Sequence, residues 1–160
     1  MFVNARAIIE RETDTGIEIV VQTRNKPEEG GRWLELPGGR VEEFESLPGA
    51  LQREIKEETG LDLTDIEGLR RKVDTNNKET NVECLQPFAV YQTTKGPVDS
   101  MGVYFRCKAE GELLEIGHET KNIHWLPVQQ IADLMRNDRD KFSWVDQGGL
   151  LFYLSQIKAE

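Results

Sequence analysis

Only two cysteines stand in this chain of 160 residues, Cys84 and Cys107, too few and too far apart for a disulfide framework or a thiolate metal site. They read as ordinary buried thiols. Long apolar runs are missing as well: none approaches the roughly 20 residues that a membrane helix needs, so no membrane partner is expected. Positive charge is scarce, with 20 Lys and Arg against 29 Asp and Glu and a net charge of −9. Coating DNA or RNA rests on Lys and Arg neutralising phosphates, so this balance argues against a long nucleic acid as partner. The opening Met1-Phe-Val-Asn-Ala-Arg has neither the basic end nor the apolar stretch of a signal peptide, and a cytoplasmic location is the resulting expectation. The length suits one domain spanning residues 1–160, and no internal repeat or low-complexity stretch divides it.

What is present is a succession of short patterned segments. Strand-like runs at Asn4–Arg11 and Ile17–Arg24 flank Thr13-Asp14-Thr15-Gly16, which reads as a hairpin turn. A polar loop at 26–31 leads to a short strand, Trp33–Leu36, and then to Pro37-Gly38-Gly39. Ser46 is placed to cap a helix over Leu47–Thr59, with Pro48 in its first turn, Ala50, Leu51 and Ile55 on its core face and Gly60 at its end. Glu83–Thr94 and Met101–Ala109 alternate apolar and polar residues and predict two further strands. Ile123–Leu126 reads as a strand, Val128–Arg136 as a helix, and Leu150–Ala159 as a closing helix whose Leu150, Leu151, Leu154 and Ile157 share a face. Trp125 and Trp144 read as packing residues. Strands grouped around two or three helices suit a mixed sheet between helical layers.

The chemistry is concentrated in residues 39–61. Glu54, Glu57 and Glu58 are spaced three and four apart or adjacent on the predicted helix, which puts three carboxylates on one face behind a Gly-Gly turn. Such crowding calls for a cation. Hard ions such as Mg²⁺ or Mn²⁺ take oxygen ligands and commonly sit between carboxylates and the phosphates of a substrate. A small polyphosphate is therefore the ligand this pattern favours, and a metal ion bridging the two would reconcile it with the acidic charge.

The segment resembles the signature of the Nudix hydrolases, G-x5-E-x7-R-E-U-x-E-E-x-G-U, where U is aliphatic. Gly39, Glu45, Arg53, Glu54, Ile55, Glu57, Glu58, Gly60 and Leu61 stand at its fixed positions. The resemblance implies an α/β/α sandwich with a mixed β-sheet and a divalent-metal-dependent hydrolase that cleaves a nucleoside diphosphate linked to another moiety. It implies metal ligation by Glu54, Glu57, Glu58 and the carbonyl of Gly38, with Glu45 and Arg53 supporting the ligands. A general base would be a signature glutamate or Glu119, which precedes Trp125 by six residues in a spacing similar to that of many relatives, and which is also a candidate metal ligand. Arg24, Arg32 and Trp33 flank the turn and are candidate substrate contacts. Phe44 stands where relatives commonly carry Gly, so the loop is expected to be reshaped there, with the added bulk directed at a pocket.

The family acts on oxidised or ordinary nucleoside triphosphates, ADP-ribose, dinucleoside polyphosphates and nucleotide sugars. The proline and tyrosine that mark two of these subgroups are replaced by Asn77 and by Lys78 and Glu79, which leaves a nucleoside triphosphate, including an oxidised one, as the default. The other reading is a nucleotide-sensing module on the same fold, for which the loss of a ligating glutamate would be expected; none is lost. A homodimer is in keeping with the family, and the strand-rich N-terminus could pair.

Overall fold

Burial along the first strand determines the architecture. The computed structural model describes residues 1–26 and 32–158. In β1 (Phe2–Thr13), Ala5, Ala7 and Ile9 face one side of the sheet, Asn4, Arg6, Ile8 and Glu10 face the other, and all seven are buried. A strand buried on both faces is central, and layers must cover it on each side. The chain reverses at Asp14-Thr15, pairing Thr13 with Gly16 of β2 (Gly16–Arg24), as the turn residues led one to expect. The remaining elements are β3 (Leu34–Glu35), β4 (Gly38–Arg40), α1 (Leu47–Thr59), β5 (Asp62–Ile66), β6 (Val73–Asp74), β7 (Glu83–Cys84), β8 (Ala89–Gln92), β9 (Ser100–Glu110), β10 (Ile116–Gly117), β11 (Thr120–Pro127), α2 (Val128–Asn137) and α3 (Trp144–Lys158).

The main sheet runs β10-β11-β2-β1-β9-β5, with β3 beside β2, β4 beside β1 and β8 beside β9; β6 and β7 form a separate small hairpin. The pair β1 and β9 is parallel, the other pairs antiparallel, so the sheet is mixed. On one edge β1 changes partner, from β4 at residues 4–6 to β2 at residues 10–13, and the Gly-Gly turn enters at this split. Ala5, Ala7, Ile9, Val103 and Phe105 pack under Ala50, Leu51 and Ile55 of α1. Ile8, Ile19, Val21 and Tyr104 pack under Ile131 and Met135 of α2 and Leu150, Tyr153 and Leu154 of α3. The result is the expected α/β/α sandwich.

Helix α1 spans the predicted residues. Ser46 Oγ accepts from Gly49 N at 3.0 Å, Pro48 lies in the first turn, and Gly60 ends the helix with φ 83°. Elsewhere the elements differ from expectation. The strand expected over Glu83–Thr94 breaks between β7 and β8, where Pro87 offers no N–H to a ladder. The last helix begins at Trp144, not Leu150, and runs through Gly148 and Gly149; a Cβ on Gly149 would stand 2.4 Å from the Tyr104 ring, so the glycine is a packing requirement. Leu151 is 42% exposed and does not share the buried face, which Asp146, Leu150, Tyr153 and Leu154 form at helical spacing. Most of the polar loop at 26–31, and Ala159 at the end of the expected last helix, lie outside the described residues. No helix among the described residues is long and apolar enough to cross a membrane.

Candidate active site

The split in the sheet opens a cleft of about 1100 Å³ lined by Gly38, Gly39, Glu54, Glu58, Glu119 and Arg24 among others. Local structure explains how each reaches it. Leu36-Pro37 carries the chain from β3 into β4, and Gly38 adopts φ 146°, which L side chains rarely take. A Cβ on Gly38 would also lie 2.3 Å from the Ala5 carbonyl oxygen, so glycine alone fits there. A Cβ on Gly39 would lie 2.5 Å from the Glu54 carboxyl carbon, so the glycine leaves room for that carboxylate.

From α1, Glu58 turns inward. Its Oε1 accepts from Gly38 N at 2.8 Å and from Gln22 Nε2 at 3.1 Å. Burial pushes its pKa up to about 8 against the help of the Gly38 N–H, and the neighbouring carboxylates of Glu35 and Glu54 push the same way. Arg53 organises the opposite side of the helix. It grips Glu45 at two points, Nε to Oε2 at 2.8 Å and Nη2 to Oε1 at 2.9 Å, while Nη1 donates to Glu54 Oε1 at 2.9 Å. This fork holds Glu45 down to about 2. Glu57 is half-exposed, 3.8 Å from Arg53, and stands outside the cleft lining.

Glu119 arrives from the other direction. The β10–β11 hairpin is fastened to the end of α1: His118 N donates to Glu57 O at 2.9 Å and Thr120 Oγ1 to Glu58 O at 2.7 Å, satisfying carbonyls that a helix terminus leaves open. Glu119 sits in the turn with φ 57°, a left-handed conformation that costs a non-glycine residue energy, and its carboxylate pairs with Lys26 at 3.3 Å. Trp33 and Arg24 also line the cleft; Arg32 is exposed and does not. Phe44 takes the positive φ of 58° that a glycine would supply and points into solvent, so its bulk lines no part of the cleft.

Four residues here, Gln22, Glu35, Lys26 and Trp144, escaped the sequence reading. Glu35 is buried, with its pKa raised by that burial against the pull of Arg6, and Gln22 Nε2 reaches it at 3.3 Å. The alternation in Trp33-Leu34-Glu35 was the available signal, because it puts Glu35 on the strand face of Trp33. Lys26 was passed over as a loop residue. Trp144, read as packing, is 43% exposed and lines the cleft.

Among the described residues no three acidic, imidazole or thiol side chains converge into a ready-made ligand cluster. The donor set nevertheless suits a hard divalent ion: the buried carboxylate of Glu58 and the partly buried one of Glu54 share one cleft with Glu119, and Gly38 and Gly39 keep side-chain bulk away from it. A carboxyl raised to about 8 beside other carboxylates is a group that a cation would stabilise in its charged form. Glu57 joins such a set only by turning away from Arg53.

A family model described as the NUDIX domain matches residues 1–145. A Bacillus subtilis (strain 168) protein provisionally named 8-oxo-dGTP diphosphatase is 35% identical over 86 residues, 43% of this chain and 54% of that protein. The 8-oxo-dGDP phosphatase of Danio rerio is 49% identical over 49 residues, 31% of this chain and 15% of that protein. The chain thus spans about half or less of the length of these curated relatives. Among solved structures, the NUDIX domain of Shewanella oneidensis NrtR complexed with ADP ribose superposes with a TM-score of 0.64 at 18% identity, covering 98% of this chain and 88% of that one. The E. coli ORF135 protein gives 0.62 at 19% identity, covering 100% and 93%. At such identities the likeness establishes the shared fold.

Proposed function

The chain belongs to the Nudix family, and on that premise we propose that residues 1–160 act as one catalytic domain that hydrolyses a diphosphate linkage in a nucleoside diphosphate joined to another group. The observation that carries this reading is the single cleft in which Gly38, Glu54, Glu58 and Glu119 meet the cations Arg24 and Lys26. Glu54, Glu57, Glu58, Glu119 and the Gly38 carbonyl would hold Mg²⁺, or Mn²⁺ in its place. When bound, such an ion polarises the phosphoryl group and lowers the pKa of a coordinated water.

The chain's own residues account for the rest. Arg24 and Lys26 bind phosphate oxygens and draw the diphosphate toward the glutamates. Gly38 N–H and Gln22 fix the direction of the Glu58 carboxylate, and Arg53 fixes Glu54 through its guanidinium fork, with Glu45 holding that fork in place. Glu119 or one of the signature glutamates takes the proton of the attacking water. Trp33 offers a ring face to the base. Arg32, exposed and away from the cleft, has no part in this arrangement. The Bacillus subtilis relative, provisionally named for 8-oxo-dGTP, favours an oxidised nucleoside triphosphate as the first substrate to try.

The test is direct. The purified protein with Mg²⁺ is given nucleoside triphosphates, their 8-oxo forms, ADP-ribose, dinucleoside polyphosphates and nucleotide sugars, and product release is compared with a Glu57→Gln control. Turnover that the control loses supports the reading; nucleotide binding without any turnover favours a sensing module.

A further inference from the structure

The cleft also carries polar groups that the proposed chemistry does not use. Arg6 and Ser100 both line the cleft and are almost fully buried, at 7% and 1% exposure. Arg6 Nε and Ser100 Oγ are each enclosed without a hydrogen-bond partner. Buried polar groups are nearly always satisfied, so two orphans in one cleft wall point to a ligand. Neither is adrift. Arg6 Nη1 is anchored to Leu36 O at 2.9 Å and to Asp146 at 3.5 Å. Ser100 is fixed through its backbone, its N donating to Thr93 Oγ1 at 2.9 Å. The parallel register, Phe2 with Ser100 and Arg6 with Tyr104, puts both side chains on one face of the sheet, with Asn4 between them.

We propose that Arg6 and Ser100 are specificity-determining residues that read the carbonyl oxygens of a keto-bearing nucleobase. The inference rests on the nucleotide reading above and deepens it. A guanidinium N–H only donates, so the ligand atom facing Arg6 Nε is an acceptor. Arg6 is already compensated by Asp146, with Glu35 also near enough to stabilise its charge, which suits a neutral carbonyl and leaves no call for a further phosphate. The cleft lining also includes the exposed rings of Trp33 and Trp144, whose faces fit a planar ring. An amino group set against Arg6 would leave its Nε–H unsatisfied, and sites built this way reject the wrong partner strongly.

Inosine and adenosine nucleotides differ at one purine edge, keto against amino, and isolate this feature. Binding of IDP and ADP to the full chain is measured by calorimetry without metal, so hydrolysis does not enter. IDP is expected to bind about tenfold tighter or more. Arg6→Lys keeps a cation for Asp146 but loses the Nε–H, and it should collapse the ratio of the two affinities; Ser100→Ala, which spares the Arg6 anchor, should reduce it as well. Equal binding of IDP and ADP, failure of both nucleotides to bind, or equal weakening of both by Ser100→Ala would each overturn the proposal. Should turnover be found with Mg²⁺ while IDP and ADP bind equally, this inference falls and the hydrolase reading stands. An IDP preference without turnover has the opposite meaning.

Discussion

Gly39 lies so close beneath Glu54 that a Cβ on the glycine would stand 2.5 Å from the carboxyl carbon. Gly38, its neighbour, is confined by backbone instead, with the Ala5 carbonyl oxygen at 2.3 Å from its would-be Cβ and φ at 146°. The two glycines therefore fail differently. Gly39→Ala needs only a flexible carboxylate to move, so the protein should stay folded, with a thermal midpoint within about 3 °C of the parent. Its activity should fall about 100-fold or more as Glu54 swings out of place. Gly38→Ala has no such escape and should cost several kcal/mol, on the order of 3, through clash and strain. Melting curves and turnover on the same two proteins check this; a Gly39→Ala variant with full activity would sink the argument.

Glu58 links pH to stability. The folded protein holds the Glu58 proton up to about pH 8, whereas an ordinary glutamate releases it near 4.5. Between those values the folded state binds more protons than the unfolded one, so without metal stability falls as pH rises through that window. Glu58→Gln keeps an oxygen for Gly38 N–H and carries no charge. It should remove that slope and raise the melting temperature at pH 8 by about 2–4 °C, while turnover is lost. Melting temperatures of both proteins across pH 5 to 8 decide the matter; a parent whose stability is flat or rising over that range contradicts the assignment. Mg²⁺ added to the parent should release protons, an effect visible in calorimetry as a heat that changes with the buffer.

How far was this legible from the sequence? Helix α1 was written in local signals, a capping Ser46, a core stripe and a stopping Gly60, and these fixed its ends without help from the rest of the chain. The same register marked Glu54, Glu57 and Glu58. Gln22 left no such trace, and the alternation around Glu35 gave its strand face but not its depth, because the burial of both follows from the pairing of β2 with β3, Gln22 opposite Glu35, which no local pattern specifies. The start of α3 was hidden by Gly148-Gly149, which reads as a break until Tyr104 is seen lying where a side chain on Gly149 would be. Periodicity also cannot tell a cluster from a dispersed set: three glutamates on one helical face are divided here between Gly38 and Arg53.

Arg53 tests the division of labour among the signature residues. Its two-point grip on Glu45 and single bond to Glu54 need the planar fork of arginine, which a lysine point charge does not supply. Arg53→Lys should keep the fold and the positive charge yet weaken Mg²⁺ binding by about 10- to 100-fold. Titration of Mg²⁺ into both proteins measures this, and equal affinities would show that Arg53 serves the helix surface and nothing more.

Asp146 joins three elements at the back of the cleft and should behave as a structural centre. Its Oδ2 accepts from Leu36 N at 2.9 Å and from Arg6 at 3.5 Å, and its Oδ1 accepts from Tyr104 OH at 2.8 Å. The carboxylate lies in the first turn of α3, where the helix N-terminus favours negative charge, and it is fully buried. Removing it by Asp146→Ala strands the buried Arg6 cation and the Leu36 N–H, a change expected to cost about 3–5 kcal/mol. Tyr104→Phe removes one hydrogen bond and leaves both charges paired, so about 1 kcal/mol is expected. The two should not add in the double variant, because the tyrosine loses its partner once the aspartate is gone. Denaturant unfolding of the four proteins measures the difference. Equal costs for the two single variants would mean that the Arg6 charge is compensated by Glu35 alone, and that Asp146 acts only as a cap on α3.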